Sequence, residues 1–241
     1  MAKIIYTFIF SVVFLLSCSN KNELVVLTDH SFPPFEYIKD GIPSGVDPDI
    51  AAVIAQKLNK KIKIFSVGFT SIIPSIERKI GDIGIAAITI TPDRQERVAF
   101  SIPYAKSEQF IISLKDFPVT NKSELDGLKI GVKQGTSSHT LIKQMGLKKT
   151  NLLTYPTTLH TIRALLNNET EAVVIDQQTA LWATTQYSQL QSHPLKDGTE
   201  YYGICVNKNN SKLLTEINTI IKEMIANGEI ETLIEKHSNL F

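Results

Sequence analysis

The chain carries two runs in which apolar strand-like segments alternate with amphipathic ones, and the first run predicts three strands separated by helices. "NELVVLTD" predicts a buried strand ending at Asp29, and "GVDPDIAAVIAQKL" has apolar residues at helical spacing. We expect Asp47 to cap that helix and Pro48 to begin it. "KIKIFSV" alternates like a strand, "TSIIPSIERK" indicates a helix, and "DIGIAAIT" predicts a third strand.

The second run repeats this order of elements from Leu128 onward. "LKIGV", "NLLTY" and "EAVVI" predict strands, which alternate with helices from about Thr136 to Met145, around "TLHTIRALL", and from Gln177 to Tyr187. Strands separated by helices are typical of parallel sheets covered on both faces. The predicted fold class is therefore α/β with two doubly wound lobes. A final amphipathic stripe from Leu213 to Ile225 needs a partner face.

The amino terminus predicts export from the cytoplasm. Met1 to Lys3 precede an apolar run from Ile4 to Leu16, which is too short to span a bilayer but typical of a secretory signal. The run ends in "LLSC", which resembles the lipobox of bacterial lipoproteins, where the cysteine is lipidated. We therefore predict a lipoprotein signal peptide over residues 1–17, lipidation at Cys18 and a linker over residues 18–23. The alternative is an ordinary signal peptide that is cut slightly later.

Charge and cysteine content argue against several kinds of partner. The chain has 25 basic and 24 acidic residues, and removal of residues 1–17, which contain one charge at Lys3, leaves 24 of each. A balanced chain has no electrostatic reason to bind nucleic acid or a charged membrane surface. If Cys18 carries lipid, Cys205 is the only other cysteine, so no internal disulfide can form. Its apolar neighbours in "YYGICV" indicate a buried, unreactive thiol.

The candidates for chemistry are the residues that follow each predicted strand, because doubly wound sheets bind ligands beyond the carboxyl ends of their strands. The first lobe offers Asp29, Phe32, Phe69, Ala86, Ala87, Thr89 and Arg94, and the second offers Lys133, Gly135, Thr136, Ser137 and Asp176. Since every one of them lies where the chain leaves a strand, the two lobes are predicted to face each other across these edges.

The segment "TITPDRQERVAFSIPY" places an arginine where a helix already carries positive charge. Thr91 and Pro92 predict a helix start, which makes Arg94 the third residue of that helix. A cation at a helix amino terminus is disfavoured by roughly 0.3–1 kcal/mol, whereas an anion is favoured there. The pattern indicates that an anion binds between the guanidinium and the helix, although a solvated arginine fits the spacing equally well.

Several motifs together resemble those of the bacterial extracellular solute-binding proteins, family 3, which bind polar amino acids for ABC importers. These motifs are "PPFEY…GVDPDI", "FTSIIPSIERKIGDIGIAAITITPDRQERVAFSIPY" and "VKQGTSS" with a later "VVID", and the resemblance covers essentially the whole mature chain. It implies a periplasmic binding protein-like fold of type II, a monomer without a cofactor, and an ABC permease as partner. The implied boundaries are lobe 1 over 24–107 and 204–241, lobe 2 over 112–198, and hinges at 108–111 and 199–203.

The resemblance also implies how the ends of an amino acid would be held. Arg94 would bind the α-carboxylate, which a guanidinium can contact through two parallel hydrogen bonds. The backbone amides of Thr136 and Ser137 would complete that cradle from the second lobe. Asp176 would meet the α-amine, with help from the Thr89 hydroxyl. The alternatives are a helix cap at Asp176 and a simple capped turn at "GTSS".

The ligand's side chain would lie between aromatic walls. Phe32 and Phe69 match the family's aromatic positions, although a phenylalanine is more often a core residue, and Asp29 matches the carboxylate that reaches the far end of the ligand. The complete predicted ligand-binding set is Asp29, Phe32, Phe69, Ala86, Ala87, Thr89, Arg94, Lys133, Thr136, Ser137 and Asp176.

The charges of the predicted site favour a neutral side chain. Arg94 and Lys133 are positive and Asp29 and Asp176 negative, so their charges sum to zero, which matches a neutral zwitterion. A side-chain amide can donate to Asp29 and accept from Lys133, and the glutamine-binding branch of the family carries a lysine at this position. Glutamine is therefore the first expectation. If Lys133 instead extends to solvent, the site would take arginine, lysine or histidine.

Two other functions are possible on the same scaffold. A dehydratase-like enzyme would need an acid–base or nucleophile pair in the pocket, but the five histidines form no motif and the sequence has no metal-ligand spacing or phosphate loop. A sensor lobe would bind the ligand to report it and would need a separate signalling partner. We therefore expect a binding protein rather than an enzyme.

Overall fold

A computed structural model describes residues 22–239 of the protein. The strands are β1 (Glu23–Thr28), β2 (Tyr37–Lys39), β3 (Ile42–Ser44), β4 (Lys61–Ser66), β5 (Ile83–Gly84), β6 (Ala99–Phe100), β7 (Ala105–Leu114), β8 (Lys129–Lys133), β9 (Asn151–Tyr155), β10 (Ala172–Asp176), β11 (Leu190–Tyr202) and β12 (Cys205–Val206). The helices are α1 (Val46–Lys57), α2 (Phe69–Glu77), α3 (Pro92–Gln95), α4 (Ser137–Gln144), α5 (Thr158–Leu166), α6 (Gln177–Gln186), α7 (Ser211–Ala226) and α8 (Glu229–Ser238), with a 3-10 turn at Lys122–Leu125. The predicted signal peptide and the lipidation site Cys18 lie outside the described residues.

The first sheet has the strand order β4-β1-β5-β12-β6 and is covered on both faces. Leu24 and Val26 of β1 share a hydrophobic cluster with Ile50 of α1, whereas Leu27 belongs to a second cluster with Ile72 of α2. Successive side chains of a strand point to opposite faces of its sheet, so one buried strand can support a helix on each side. This arrangement is the one predicted for a doubly wound lobe.

The second sheet has the order β11-β7-β10-β8-β9, and both sheets are mixed rather than fully parallel as expected. In the first sheet β12 runs antiparallel to its neighbours β5 and β6, and in the second β7 runs antiparallel to β10 and β11. Each of these strands is the first one after the chain passes from one sheet to the other. Parallel neighbours in a sheet are usually joined by a crossover helix. In the described chain, β7 and β12 each enter their new sheet without such a helix, and each runs antiparallel to its neighbours.

The chain passes between the sheets at residues 101–104 and 203–204. β7 and β11 pair from Ala105 opposite Tyr202 to Leu114 opposite Leu190, with a register shift between Pro194 and Thr199. The hinges predicted at 108–111 and 199–203 fall largely inside this strand pair. Those hinge boundaries and the residue ranges of the two lobes remain predictions.

The amphipathic stripe from Leu213 to Ile225 lies in α7, and α1 contributes to its partner face. Leu213, Ile217 and Ile221 of α7 are buried in the same cluster as α1. The Asp49 carboxylate of α1 lies 2.8 Å from the His237 ring of α8. Cys205 in β12 is fully buried, and burial raises the pKa of its thiol to about 12, which fits the expected unreactive cysteine. Within residues 22–239, no helix is both long and apolar enough to cross a membrane.

Candidate functional site

The residues predicted to bind a ligand lie together between the two sheets. The lining residues of one cavity are Phe32, Phe69, Ala86, Ala87, Thr89, Arg94, Lys133, Thr136, Ser137 and Asp176. The remaining predicted residue, Asp29, lies beside them, with its carboxylate 2.5 Å from the Lys133 ammonium. The structure therefore brings the predicted set into one place, while the binding role of each residue stays a prediction.

Arg94 links the two sides of the cavity. The Thr91 hydroxyl accepts from the Arg94 backbone N–H at 3.4 Å, which confirms the predicted helix start, although α3 is only one turn long. The guanidinium donates to the Thr89 carbonyl at 2.6 Å and to the Gly135 carbonyl at 3.0 Å, and it lies 5.5 Å from the Phe69 ring centroid. Burial lowers the pKa of Arg94. Since a guanidinium has five N–H donors, it can also bind an anion in the cavity.

The turn from β8 into α4 forms the opposite wall. Gly135 has φ 77°, and a Cβ atom at this position would lie 2.6 Å from the Thr70 side chain, so glycine lets the two sides approach closely. Thr136 caps α4 through its hydroxyl, and its backbone N–H makes only a long bond of 3.4 Å to the Lys133 carbonyl. Ser137 is the first helical residue, where backbone amides lack intrahelical partners. These amides can therefore serve the predicted carboxylate cradle.

Asp176 ends β10 and is held by side chains rather than by a helix cap. Its carboxylate accepts from the Tyr202 hydroxyl at 2.5 Å and from the Gln109 amide at 3.3 Å. Asp176 occupies the position before α6, but its side chain is directed to these two partners. Burial, and then the nearby negative charge of Glu200, raise the pKa of Asp176 to about 7. An ammonium group at this position would favour the ionised carboxylate.

Glu200 belongs to the site, and the sequence analysis missed it. Its carboxylate accepts from the Thr89 hydroxyl at 2.9 Å and from the Ser137 hydroxyl at 2.8 Å. Glu200 and Tyr202 are two apart in β11 and therefore point to the same face, where both reach the site. That alternation is the sequence signal that could have revealed Glu200, which the sequence analysis placed only within the predicted hinge at 199–203.

An aromatic slot in the wall of the cavity already holds a cation. The Lys133 ammonium lies 5.4 Å from the Phe32 ring centroid and 5.0 Å from that of Phe69. It pairs with Asp29 and donates to the Ser31 hydroxyl at 3.0 Å. Lys133 is only 2% exposed, so it does not extend to solvent in this structure. The remaining cavity has a volume of about 10 Å³, which is too small for an amino acid.

Asp47 supports the cavity wall, and the prediction that it caps α1 is wrong. The helix begins at Val46, while the Asp47 carboxylate accepts from the Ala87 backbone N–H at 2.7 Å and from the Tyr104 hydroxyl at 2.8 Å. Ala87 has φ 44°, an uncommon conformation for a residue other than glycine. Burial raises the pKa of Asp47 to about 6. The buried carboxylate thus holds a strained wall residue in place.

A cleft lined by charged groups from two α/β lobes defines a two-lobed ligand-binding protein. Residues 24–239 match the family of "Bacterial extracellular solute-binding proteins, family 3", and the chain belongs to this family. The match confirms the family resemblance seen in the sequence motifs. The similarity to solved structures confirms the periplasmic binding protein-like fold.

Named relatives of this chain include proteins for basic amino acids. A protein of Campylobacter jejuni subsp. jejuni serotype O:2, named "Probable histidine-binding protein", is 30% identical over 95% of this chain and 94% of the relative. A solved structure of an ancestral arginine-binding protein bound to arginine is 32% identical, with a TM-score of 0.85, over 90% of this chain and 98% of that chain. A structure of an ancestral arginine-binding protein bound to glutamine is 32% identical, with a TM-score of 0.83, over 90% and 97%.

Proposed function

We propose that this protein captures one free polar amino acid outside the cytoplasm by lobe closure and delivers it to an ABC permease. The observation that carries the proposal is the placement of Arg94 and Asp176, which come from opposite sides of one cavity and have opposite charges. The carboxylate and the amine of a single amino acid would bind both residues. Because such a ligand contacts both lobes only when they are closed, it stabilises the closed form.

We further infer that the ligand is a basic amino acid, namely arginine, histidine or lysine. The names of the relatives support this inference, as does the chemistry of the aromatic slot. Asp29, Phe32 and Phe69 already surround the Lys133 ammonium. A carboxylate beside two aromatic faces attracts a cationic side chain through charge pairing and cation–π contacts. A basic ligand would displace the Lys133 ammonium from this slot.

Glutamine, the first expectation from the sequence, remains the second candidate because of one specific contact. Lys133 neutralises Asp29 at 2.5 Å, so a ligand that leaves this pair in place meets a neutral surface. A side-chain amide can donate to a carboxylate and accept from an ammonium at the same time. The relatives named for arginine and histidine nevertheless favour the basic alternative.

The remaining parts of the proposal concern where and how the protein acts. We propose a monomer outside the cytoplasm that is tethered to a bacterial membrane through lipid at Cys18 and that uses no cofactor. Capture is preferred to dehydratase-like catalysis or sensing because the family consists of solute-binding proteins.

A thermal-shift screen against the twenty amino acids, followed by calorimetry, tests the proposed function. A ligand that binds only the folded state raises the melting temperature, by an amount that grows with its concentration relative to Kd. We expect arginine, histidine or lysine to give the largest shift. A larger shift with glutamine would favour the second candidate, and no shift with any amino acid would contradict capture.

A further inference from the structure

Glu200 lies behind the wall of the cavity rather than in it. Thr89 and Ser137 line the cavity, whereas Glu200 lines the neighbouring cleft together with Arg94 and Ser137. One oxygen of the Glu200 carboxylate, Oε2, lies 2.9 Å from Thr89 Oγ1 and 2.8 Å from Ser137 Oγ. Thr89 and Ser137 belong to opposite sides of the cleft, so a single carboxylate joins both.

The Glu200 contacts determine the direction of two hydroxyl groups. An ionised carboxylate can only accept hydrogen bonds, and each hydroxyl has a single proton to donate. Thr89 and Ser137 therefore donate their protons to Glu200, and their oxygens lie 3.2 Å apart. Ser137 also accepts from the Gln109 amide at 3.5 Å, and each hydroxyl oxygen keeps a lone pair for a further partner. Lone pairs on the cavity side suit an ammonium group rather than a carboxylate. The α-amine would then meet two oriented hydroxyl oxygens in addition to Asp176.

Glu200 also changes the charge balance of the site. The charges of Arg94, Lys133, Asp29 and Asp176 sum to zero, and the addition of Glu200 makes the sum −1. A bound glutamine would leave that negative charge uncompensated, whereas a bound arginine would cancel it. In a poorly solvated cleft, an uncompensated charge is unfavourable even when it is not in direct contact with the ligand.

We propose that Glu200 is a positioning and specificity-determining residue, which fixes the hydroxyls of Thr89 and Ser137 as acceptors for the ligand's α-amine and biases the site toward a ligand of net positive charge. This inference rests on the proposed function, because it assigns a role at the same amino-acid site. It goes beyond that function by naming a residue that touches no ligand yet selects among ligands.

Glu200 has a second effect that a purely structural residue would lack. Within residues 22–239, the charged groups that act on Asp176 are Glu200, which raises the pKa of that carboxyl, and Arg94, which lowers it. The Tyr202 hydroxyl donates a hydrogen bond to Asp176 and also lowers this pKa. The Gln109 amide is a further neutral donor to Asp176. Removal of the Glu200 charge should therefore move the titration of Asp176, and any binding step that depends on it, to lower pH.

The test compares Glu200→Gln with a matched charge removal on the paired strand, Glu108→Gln. Glu108 lies opposite Thr199 in the β7–β11 pair and is exposed. Calorimetry would measure Kd for arginine and for glutamine in each protein, and the arginine titration would be repeated across pH. We expect Glu200→Gln to lose about tenfold or more in arginine affinity, a smaller factor in glutamine affinity, and to show a lower pH midpoint, while Glu108→Gln changes each Kd by less than about twofold.

The variant Glu200→Asp keeps the negative charge and controls for a general packing defect caused by substitution at this position. It should retain the preference of the wild type for arginine over glutamine even if its absolute affinity falls. Equal losses for both ligands in Glu200→Gln, or an unchanged pH midpoint, would overturn the inference about Glu200 and leave the proposed function intact. If the wild type binds no amino acid, the proposed function fails and this inference fails with it.

Discussion

The two ends of the cavity hold their charges in different ways. At the end that is proposed to hold the ligand's side chain, which we call the side-chain end, Lys133 and Asp29 pair directly with each other at 2.5 Å. At the other end, Arg94 donates to two backbone carbonyls, and Asp176 accepts from a tyrosine hydroxyl and an amide. One end therefore consists of a closed ion pair, and the other of opposite charges that are each held by neutral groups.

This difference indicates that one end of the cavity binds the groups common to all amino acids and that the other end distinguishes their side chains. A charged residue whose hydrogen-bond partners are neutral can still attract the opposite charge of a ligand. Two residues that form an ion pair can bind a ligand only if the pair separates or if the ligand contacts both members. We infer that Arg94 and Asp176 provide the affinity shared by all amino acids, and that Asp29 and Lys133 discriminate among side chains. Specificity then arises from a difference in how well each side chain replaces or joins the existing pair.

The largest expected effect is that of Arg94→Ala, which removes the anchor shared by all ligands. We expect every amino acid that binds the wild type to lose about 100-fold or more in affinity, because truncation of one partner of a buried charged hydrogen bond costs about 2–5 kcal/mol. Calorimetry measures the loss. The matched control is Arg97→Ala, which breaks only the surface pair with Glu77 at 2.6 Å. Binding within about threefold of wild type in Arg94→Ala would rule out the anchoring role.

The next effect concerns pH and the same end of the cavity. The pKa of Asp176 is raised to about 7 in the ligand-free site, and a bound ammonium would lower it, so binding releases a proton when Asp176 starts protonated. Arginine affinity should be highest above about pH 7 and should fall toward about tenfold per pH unit below about pH 6. Calorimetry across pH provides the measurement. Asp176→Asn should bind weakly with little pH dependence, and a steep dependence in that variant would assign the proton elsewhere.

The smallest of these effects is a change of preference at the side-chain end. Lys133→Ala leaves Asp29 without its charged partner, so glutamine should lose about tenfold in affinity, whereas arginine should lose little or bind more tightly. Paired calorimetric titrations give the ratio of the two affinities. Lys122→Ala, which breaks a surface pair with Asp197, serves as the control. Equal losses for both ligands, or tighter glutamine binding, would contradict the selective role of Lys133.

Local patterns predicted much of this arrangement from the sequence. The start of α3 at Thr91 and Pro92 placed Arg94 correctly because a cap depends on neighbouring residues alone. The positions after each strand placed Asp176 and Lys133 at the cleft, because the carboxyl ends of parallel strands lie along one edge of the sheet. The resemblance to the family added the pairing of the two lobes, which no local pattern contains.

Contacts between distant parts of the chain could not be predicted in this way. The Asp-Pro pair made Asp47 a plausible helix cap, but the Ala87 amide, 40 residues away, binds its carboxylate instead. Glu200 was missed because its hydroxyl partner Thr89 lies 111 residues away, and no pattern within β11 connects the two residues. The charge sum that favoured glutamine omits Glu200, whose carboxylate changes that sum from zero to −1.

The central claim is that both charged ends of one free amino acid are recognised at once by groups from opposite lobes. The most direct measurement compares the Kd of L-arginine with that of agmatine, which lacks the α-carboxylate, and of 5-guanidinovaleric acid, which lacks the α-amine. We predict that each analogue binds at least about 100-fold more weakly than L-arginine, since each leaves Arg94 or Asp176 without its partner. Analogue affinities equal to that of L-arginine would contradict the account.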